Sequence, residues 1–551
     1  MTSPFFGLDI AARALRANQT LVDITNQNVA NASTPGFSRQ SAVIKETPPY
    51  PIPVFRQGGQ PGQLGTGVQV TDVTRTRDAF TDYQYRAQVA AQGRWTARQS
   101  ALQQIEAIVN EPSNSGISTV LSKYWSAWQE LASSPSDVSV RANLLQQGKA
   151  VADAFQYTVK LFGEQQRDMD MQIRLSVADI NNYAEQIARL NVQIANVETS
   201  GLRANDLRDQ RDLLLDKLSG LIKVSAVESS EGSLSLYIGG RQLVDRDRVN
   251  ELGLDATSGP FARVIWSDAN STSAIVADGK LAGLLESRDT ILADRIRNID
   301  DLAGRIIDSV NSVHAGGVGL DGVGGLAFFT GTDARSMAVD PTLTVNRVAA
   351  ARPYPDPNSA TNPPSYLHAV GDGSNAVALA QLQGRLAQRG TTGLAPGSSA
   401  GTAAVLAVDV ASARVNASFS FTYNGGALTI SDGSTSQVAN VTIASDQPDG
   451  TPATRRVVTV DGGPMGVRLT LSVPASGSVA ADLATALSGL DGQSVSSRGP
   501  STVGEQYGQE VAAIGVLSAS ARGQAENQAV LVNHLERHRQ EVSGVSLDEE
   551  A

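Results

Sequence analysis

Apolar side chains return at every seventh position in four separate stretches of this chain. Leu8, Leu15, Val22 and Val29 do so near the N-terminus, with Ala11, Asn18 and Thr25 at the intervening positions. Ile173, Ile180, Ile187 and Ile194 do so further on, with Met169, Tyr183, Leu190 and Val197 in a second seam. Leu285, Leu292, Ile299, Ile306 and Val313 form a third series, and Ile514, Ala521, Gln528, Leu535 and Val542 a more polar fourth. A seven-residue repeat describes a helix with a narrow apolar stripe, which must be covered by another helix. The chain is therefore predicted to be built around long helices. The first stripe is too thin and too polar to bury itself, so it needs a mate from the other end of the chain or from another molecule.

The rest of the chain fits several domains rather than one, at 551 residues. An apolar content of 41% with 18% charged residues describes a globular chain with ample core. The net charge of −11 lacks the basic footprint of a nucleic-acid binder. There is no cysteine, so disulfides and thiolate metal sites are impossible. The N-terminus has neither a basic region nor an unbroken apolar run of the secretory-signal kind, and no stretch of about eighteen apolar residues is present to span a membrane.

Pattern and punctuation divide the chain. Pro48, Pro49, Pro51 and Pro53 forbid helix after the first segment. Helices are predicted from about Asp78 to Asn110, stopped before Pro112, and through Ile117, Val120, Leu121, Tyr124, Trp128 and Leu131, closed by Pro135. Tyr124, Trp125 and Trp128 raise the thought of a stacking site, but their spacing is that of a buried face. A long helix follows from about Asp137 to Thr199. At about 1.5 Å per residue, some fifty residues of helix make a rod on the order of 70 Å that needs partners to persist. A shorter helix over "DLRDQRDLLLDKLSG" leads into period-two alternation through Val224, Ala226, Leu234, Leu236 and Ile238. The third heptad series then pairs naturally with the second, with the β-subdomain at the far end. Gly384 to Pro500 is dense in Gly, Ser and Thr, with recurrent β-like runs and the hairpin signal "NGG". The predicted class is multidomain α+β: a long-helix, coiled-coil body built from both chain ends, a small β-subdomain and an inserted all-β domain. The boundaries are an N-terminal coiled-coil segment 1–35, the first part of the helical body 36–220, the β-subdomain 221–280, the second part of the body 281–383, the all-β insert 384–500 and a returning helix 501–551.

Between the first helix and the proline-rich stretch, Asn26, Asn28, Asn31 and Ser33 favour turns over helix. Thr34 is pushed extended by Pro35, and Pro35-Gly36 suits the centre of a type II turn with Gly36 at positive φ. This stretch, "NQNVANASTPGFSRQ" over Asn26–Gln40, resembles the N-terminal signature of bacterial flagellar axial proteins. Its ending is nearest to the hook-associated members that form the hook–filament junction. "NEPSNSGISTVLSKYWSAWQELASSPSDVSVRANLL", "DLRDQRDLLLDKLSGLIKVSAVESSEGSLSLYIGGRQLV", "GGLAFFTGTDARSMAVDPTL" and "NAVALAQLQ" are similar to the same members. The likeness runs from Thr2 to about Gln383 and again from Ser501 onward.

The resemblance implies a structural protein and not an enzyme, with no cofactor and no metal. It would be secreted through the flagellar type III export route, for which a cysteine-free chain is suited, and would sit extracellularly in the flagellum at the hook–filament junction. Implied partners are further copies of itself in a ring, the flagellar hook protein, other hook-associated proteins or filament-side subunits, and a flagellar export chaperone; nucleic acid and membrane are not among them. Implied assembly residues are Leu8, Leu15, Val22, Val29, Asn28, Asn31, Thr34, Pro35, Gly36 and Phe37. "SGVSLDEEA" is similar to the family's lead into a C-terminal coil, and the sequence stops at Ala551 before it. The chaperone site would lie in that coil, and residues 1 to about 35 are expected to be splayed from the body for want of their mate. Alternatives are another flagellar axial protein of the distal hook-associated, hook or rod type, or an adhesive or carbohydrate-binding module on a helical stalk. Against the last, Phe419, Phe421 and Tyr423 alternate on one strand and are expected to face the insert's core.

Other motifs carry less. "GVGLDG" at Gly317–Gly322 matches a dinucleotide fingerprint but follows a helix instead of a strand. "GSSAG" at Gly397–Gly401 has no strand-to-helix context for a nucleophile. His534 and His538 stand four apart on a helix, with no third ligand evident.

Overall fold

The computed structural model describes residues 5–49, 64–229, 231–257, 259–268, 270–355, 366–367, 369–384 and 502–550. Between 385 and 501 it describes the strands named below with residues 439, 487 and 490. These residues form two compact units. One comprises Met1–Val109, Leu161–Arg295 and Ala513–Ala551, the other Asn110–Lys160 and Ile296–Ala512.

The first unit opens with helix α1 (Phe6–Asn31), followed by the antiparallel strands β1 (Gln40–Glu46) and β2 (Val68–Arg75). α1 lies against both strands. The face it turns inward carries Ile10, Ala14, Ala17, Leu21, Ile24 and Asn28, spaced alternately by four and three and all buried or half-buried. That is a second seam on the same helix, nearly opposite the one built on Leu8. Residues 5–35 are therefore docked on the hairpin instead of splayed, because a hairpin face covers the seam that the spacing of Leu8, Leu15, Val22 and Val29 does not reveal.

Helix α2 (Ala79–Val109) starts where the Asp78 carboxylate accepts from the Phe80 N–H at 3.0 Å and the Thr81 hydroxyl at 2.6 Å. Helix α4 (Val138–Glu198) contributes its part from residue 161 to this unit, and helix α5 (Asn205–Leu221) folds back beside it. Strands β3 (Ser225–Glu228), β4 (Leu234–Ile238), β5 (Arg241–Asp245) and β6 (Arg248–Val249) make an antiparallel sheet in that order, and β7 (Leu252–Asp255) pairs with β8 (Arg263–Trp266). Helix α6 (Lys280–Glu286) runs into a π-helical turn, Ser287–Leu292, and then helix α7 (Ala293–His314).

One core joins these elements. Ile173, Ile180 and Ile187 of α4 are fully buried against Leu215 and Leu218 of α5, Leu234, Leu236 and Ile238 of β4, Trp266 of β8, and Leu281 and Leu284 of α6. Removing this apolar surface from water, at about 25 cal/mol per Å², is what drives the unit together. The β-strands thus sit on the α4 seam itself, not at its far end as expected. An apolar sheet face covers a wider stripe than a single helix can. The π-helical turn also interrupts the predicted heptad of Leu285 to Val313, and Val313 ends half-buried. Its wider turn buries Arg288, whose Nη1 donates to Asp170 Oδ1 at 2.6 Å and to the Ala262 carbonyl at 2.9 Å.

The second unit holds helix α3 (Ile117–Ser133), the first part of α4, α7 from Ile296, and helix α8 (Ser374–Ala380), which packs on α3. Tyr124, Trp125 and Trp128 are core residues, as their spacing implies. They gather with Phe328, Phe329 and the His314 ring, Trp128 and Phe328 lying 5.4 Å apart. Two short ribbons, β9 (Phe329–Thr330) with β10 (Ala338–Val339) and β11 (Tyr354–Pro355) with β12 (Tyr366–Leu367), follow α7. Gly317–Gly322 is loop, its Val318 bridged to Ala351.

Two five-stranded antiparallel sheets come next. One orders β13 (Thr391–Gly393), β22 (Ser494–Ser497), β16 (Ala417–Asn424), β17 (Ala427–Ser431) and β18 (Ser436–Val438). The other orders β14 (Ser399–Ala400), β15 (Ala403–Asp409), β21 (Arg468–Pro474), β20 (Arg455–Asp461) and β19 (Asn440–Ile443). Phe421, Leu428 and Ile430 are buried and Tyr423 is half-buried; the Phe419 side chain lies outside the described residues, as does most of "GSSAG". Helix α9 (Val503–Ser543) begins with a reciprocal cap. The Glu505 N–H donates to the Thr502 hydroxyl at 3.1 Å and the Thr502 N–H to the Glu505 carboxylate at 2.8 Å. The short helix α10 (Leu547–Glu550) follows.

Candidate assembly interface

The turn after α1 is built by its own side chains. Asn31 Nδ2 donates to the Gln27 carbonyl, and the Thr34 hydroxyl to Asn31 Oδ1 at 3.2 Å. The Phe37 N–H then donates to the Thr34 carbonyl at 3.2 Å, closing a four-residue turn around Pro35 and Gly36. Gly36 sits at φ +85°, and a Cβ there would lie 3.1 Å from Leu213 Cβ. Only glycine meets both demands without strain.

The segment after the turn is pinned from two directions. Ser38 is fully buried and gives its N–H and hydroxyl to Asp209 of α5, at 3.0 and 2.6 Å. The Arg39 N–H donates to the Ser543 carbonyl at the end of α9 at 2.8 Å. Asn28 exchanges two bonds with the Gln40 backbone, both 3.0 Å. The chain's first segment is thereby locked to helices that lie far away in sequence.

Charge holds the base of this site. Asp209, Asp212 and Asp216 lie along one face of α5. Arg75 bonds Asp209 at 2.7 Å and Asp212 at 2.9 Å, Arg86 bonds Asp216 at 2.7 Å, and Arg539 of α9 bonds Asp216 at 2.6 Å. Burial alone would raise the Asp212 carboxyl, but the guanidiniums of Arg77, Arg75 and Arg86 hold it below the usual carboxylate range. Arg539 also lies over the Tyr85 ring at 4.3 Å. Burial and the Glu536 carboxylate push the Tyr85 phenol up to about 12. A groove of about 670 Å³ lies between the Thr34–Phe37 turn, Leu213, Arg539 and Val545.

The implied assembly residues separate into groups. Leu8, Leu15, Val22 and Val29 are 65%, 61%, 58% and 44% exposed, one apolar line along the outer face of α1. Thr34 and Pro35 are exposed and Gly36 and Phe37 half-buried, all four lining the groove, while Asn31 is half-buried at the end of α1. Asn28 is the exception: it is buried, and its amide binds β1 instead of facing a neighbour. The position of Asn28 on the inner seam is the reason. The Ser38–Asp209 clamp and the Arg–Asp network were not anticipated, although Asp209, Asp212 and Asp216 share one helix face at spacings of three and four. His534 and His538 are exposed, and among the described residues no three His, Asp or Glu side chains converge on a metal position. Among the described residues no helix is long and apolar enough to cross a membrane.

Comparison with known proteins meets this geometry at the same places. Residues 8–37, which are α1 and its turn, match the model of the flagella basal body rod protein family. Residues 102–329 match that of the flagellar hook-associated protein FlgK helical domain. Flagellar hook-associated protein 1 of Bacillus subtilis is 33% identical over 417 residues, covering 69% of this chain and 81% of that one. Its counterparts in Salmonella typhimurium and Escherichia coli are 28% and 26% identical, and the chain spans 58% and 59% of their lengths. The structure of the flagellar hook junction protein FlgK from Burkholderia pseudomallei aligns with a TM-score of 0.51 at 20% identity, over 84% of this chain and all of that one, a likeness of fold. With its rod-type first helix, its hook-associated helical domain and a relative of this identity over most of both chains, the protein belongs to the flagellar hook-associated protein 1 family.

Proposed function

We propose that this flagellar structural protein joins hook to filament by lateral self-assembly. Its family is a structural one that assembles with other flagellar components, and no catalysis is involved. Copies form a ring, with the hook protein on one side and other hook-associated or filament-side subunits on the other. The protein reaches that extracellular place through the flagellar export route, with an export chaperone as its escort. Residues 1–35 are then the assembly segment, 36–220, 281–383 and 501–551 the helical body, 221–280 a β-subdomain within it, and 384–500 an inserted domain facing outward.

The observation that carries the reading is the outer line of α1. Four large apolar side chains at seven-residue spacing stand in water while the opposite face of the same helix is covered. Exposed apolar lines of this kind are buried between subunits in coiled-coil assemblies. Thr34, Pro35, Gly36 and Phe37 stand at the end of that line, next to the groove, as further contact residues.

The test is a chromosomal deletion examined for filament attachment. Cells lacking the gene are expected to carry intact hooks, shed filament subunits into the medium and lose motility. Restoring the gene with Leu15→Asp and Val22→Asp is expected to leave the defect in place although the protein accumulates. Normal filaments in the deletion strain would overturn the reading.

A further inference from the structure

We propose that the open edge of β3, with the arginine-floored cleft beside it, docks an extended acidic segment of another protein. Any partner of that chemistry would fit, whether or not the protein sits between hook and filament.

β3 is the outermost strand of its sheet, and all four of its residues are exposed. The Ser229 N–H donates to the Ser233 carbonyl at 2.8 Å, which sets the phase of the β3–β4 ladder. Ser225 and Val227 then bond β4, and the amide groups of Ala226 and Glu228 point to the open side. No backbone group among the described residues takes them.

The cleft beside β3 measures about 440 Å³. Its far wall is the start of α2, with Tyr83, and its floor is α5. Arg75, Arg77, Arg86, Arg211 and Lys223 line it with Asp82, Asp212 and Glu228. The four arginines are ion-paired with these carboxylates and with Asp209 and Asp216. Arg211 is 1% exposed, and its buried Nε–H has no hydrogen-bond partner. Lys223 is exposed, with no carboxylate in salt-bridge reach among the described residues. Phe80 and Tyr83 are both 66% exposed and Val227 is 58% exposed.

A strand added to a sheet edge takes main-chain hydrogen bonds from the edge and sends alternate side chains to opposite faces. Laid along β3, one set of side chains turns to the cleft and the other lies outward beside Val227. Carboxylates suit the first set because the exposed Lys223 ammonium at the cleft has no carboxylate of its own among the described residues and can take one in a charge-assisted pair. Apolar side chains suit the second.

The test uses the whole chain and a labelled, end-blocked peptide of sequence Val-Glu-Val-Glu-Val-Glu-Val, read by fluorescence anisotropy. One control replaces Glu with Lys, and another N-methylates alternate backbone amides. The acidic peptide is expected to bind at least tenfold tighter than either control and to weaken when salt is raised from 50 to 300 mM. Ala226→Pro removes an outward N–H without touching the β4 ladder and is expected to cost at least tenfold in affinity at an unchanged thermal midpoint. Should that variant misfold, Lys223→Glu and Tyr83→Ala, both at exposed sites, are each expected to cost threefold or more. Amide exchange at Ala226 and Glu228 should slow on binding. Equal affinity for the acidic and basic peptides, indifference to Ala226→Pro, or no binding at millimolar peptide would each overturn the proposal.

Discussion

Asp209 accepts two hydrogen bonds from Ser38, one from its backbone N–H at 3.0 Å and one from its hydroxyl at 2.6 Å, across 171 positions of sequence. The same carboxylate takes Arg75 at 2.7 Å, and Arg77 reaches the Ser38 hydroxyl at 3.2 Å. The segment that ends α1 is thus fixed to α5 by a buried, charge-assisted contact. Ser38→Ala is expected to lower stability by about 1.5–3 kcal/mol, the range for a bond to a charged group. Asp209→Ala takes the acceptor from the buried Ser38 amide and hydroxyl and leaves Arg75 with Asp212 alone, so it should cost more, about 3–5 kcal/mol. Urea unfolding of the two variants measures both, and equal effects would contradict the geometry.

Gly36 gives a sharper local test. At φ +85° any residue with a Cβ is strained, by roughly 1–2 kcal/mol, and Leu213 leaves no room to relax. Gly36→Ala is therefore expected to destabilise by at least that much, whereas Pro35→Ala, at an exposed site, should fall within about 0.5 kcal/mol of wild type. Thermal denaturation of the pair separates turn strain from any general sensitivity of the segment.

Arg288 and Asp170 are the buried ion pair of the π-helical turn, 2.6 Å apart. Burial alone would raise the Asp170 carboxyl, but its bonds from Arg174, the Ala262 N–H and Arg288 keep it below the usual range. Asp170→Ala removes the buried carboxylate from Arg288 and leaves it only the half-exposed Asp289, and about 3–5 kcal/mol of stability should go. Arg288→Met added to Asp170→Ala is expected to restore part of that loss, because an apolar side chain can occupy the site without a partner. A double-mutant cycle in urea reads the coupling; strict additivity would mean the pair does not interact.

These contacts also mark the limit of what the sequence makes legible. Helix bounds come from local chemistry: Asp78 and Asp137 cap α2 and α4, and Pro112 and Pro135 lie just past the helices they close. The buried Ile173–Ile180–Ile187 line and the strands around the Asn424↔Ala427 pairing come from periodicity and turn residues. Neither source says which surface covers which line. One helix, α1, carries two seams, and the alternation of Ile10, Ala14, Ala17 and Leu21 is as regular as that of Leu8 and Leu15. Choosing between them needs the hairpin that only the folded chain supplies. The Arg–Asp network joins α5, α9 and the end of β2 over distances that no local pattern reports, and the π-helical turn leaves no mark in composition.

His314 provides a pH test. The Ala349 N–H donates to its Nε2 at 3.0 Å, so its Nδ1–H donates to the Leu326 carbonyl at 2.7 Å. Burial holds the imidazole below its ordinary value, while the Leu326 carbonyl and the Asp340 carboxylate only partly oppose this. Above an unfolded-state pKa of about 6.5 neither state is protonated and the full stability is present. Below it the unfolded chain takes a proton that the folded chain resists, so stability falls as pH drops towards the depressed folded value. Wild type is expected to lose stability between pH 7 and 5 more steeply than His314→Gln, by up to one proton's worth of slope. Parallel pH profiles for the two proteins would show that His314 titrates alike in both states.

The two faces of α1 make the last contrast. Leu15 and Val22 stand in water, and Ala17 and Leu21 lie towards the hairpin on the same two turns. If the outer line serves neighbours and the inner line serves the fold, one chemical change should have opposite consequences on the two faces. Leu15→Asp and Val22→Asp are expected to move monomer stability by no more than about 0.5 kcal/mol and to abolish self-association at high protein concentration. Ala17→Asp places an unpaired carboxylate at a site 5% exposed. It should cost several kcal/mol or free α1 from the hairpin altogether, because a buried charge without a partner is not tolerated. Urea unfolding reads the first consequence and sedimentation velocity the second. Loss of monomer stability from the outer substitutions, with association intact, would reverse the assignment of the two faces and remove the reason for expecting α1 to meet another molecule.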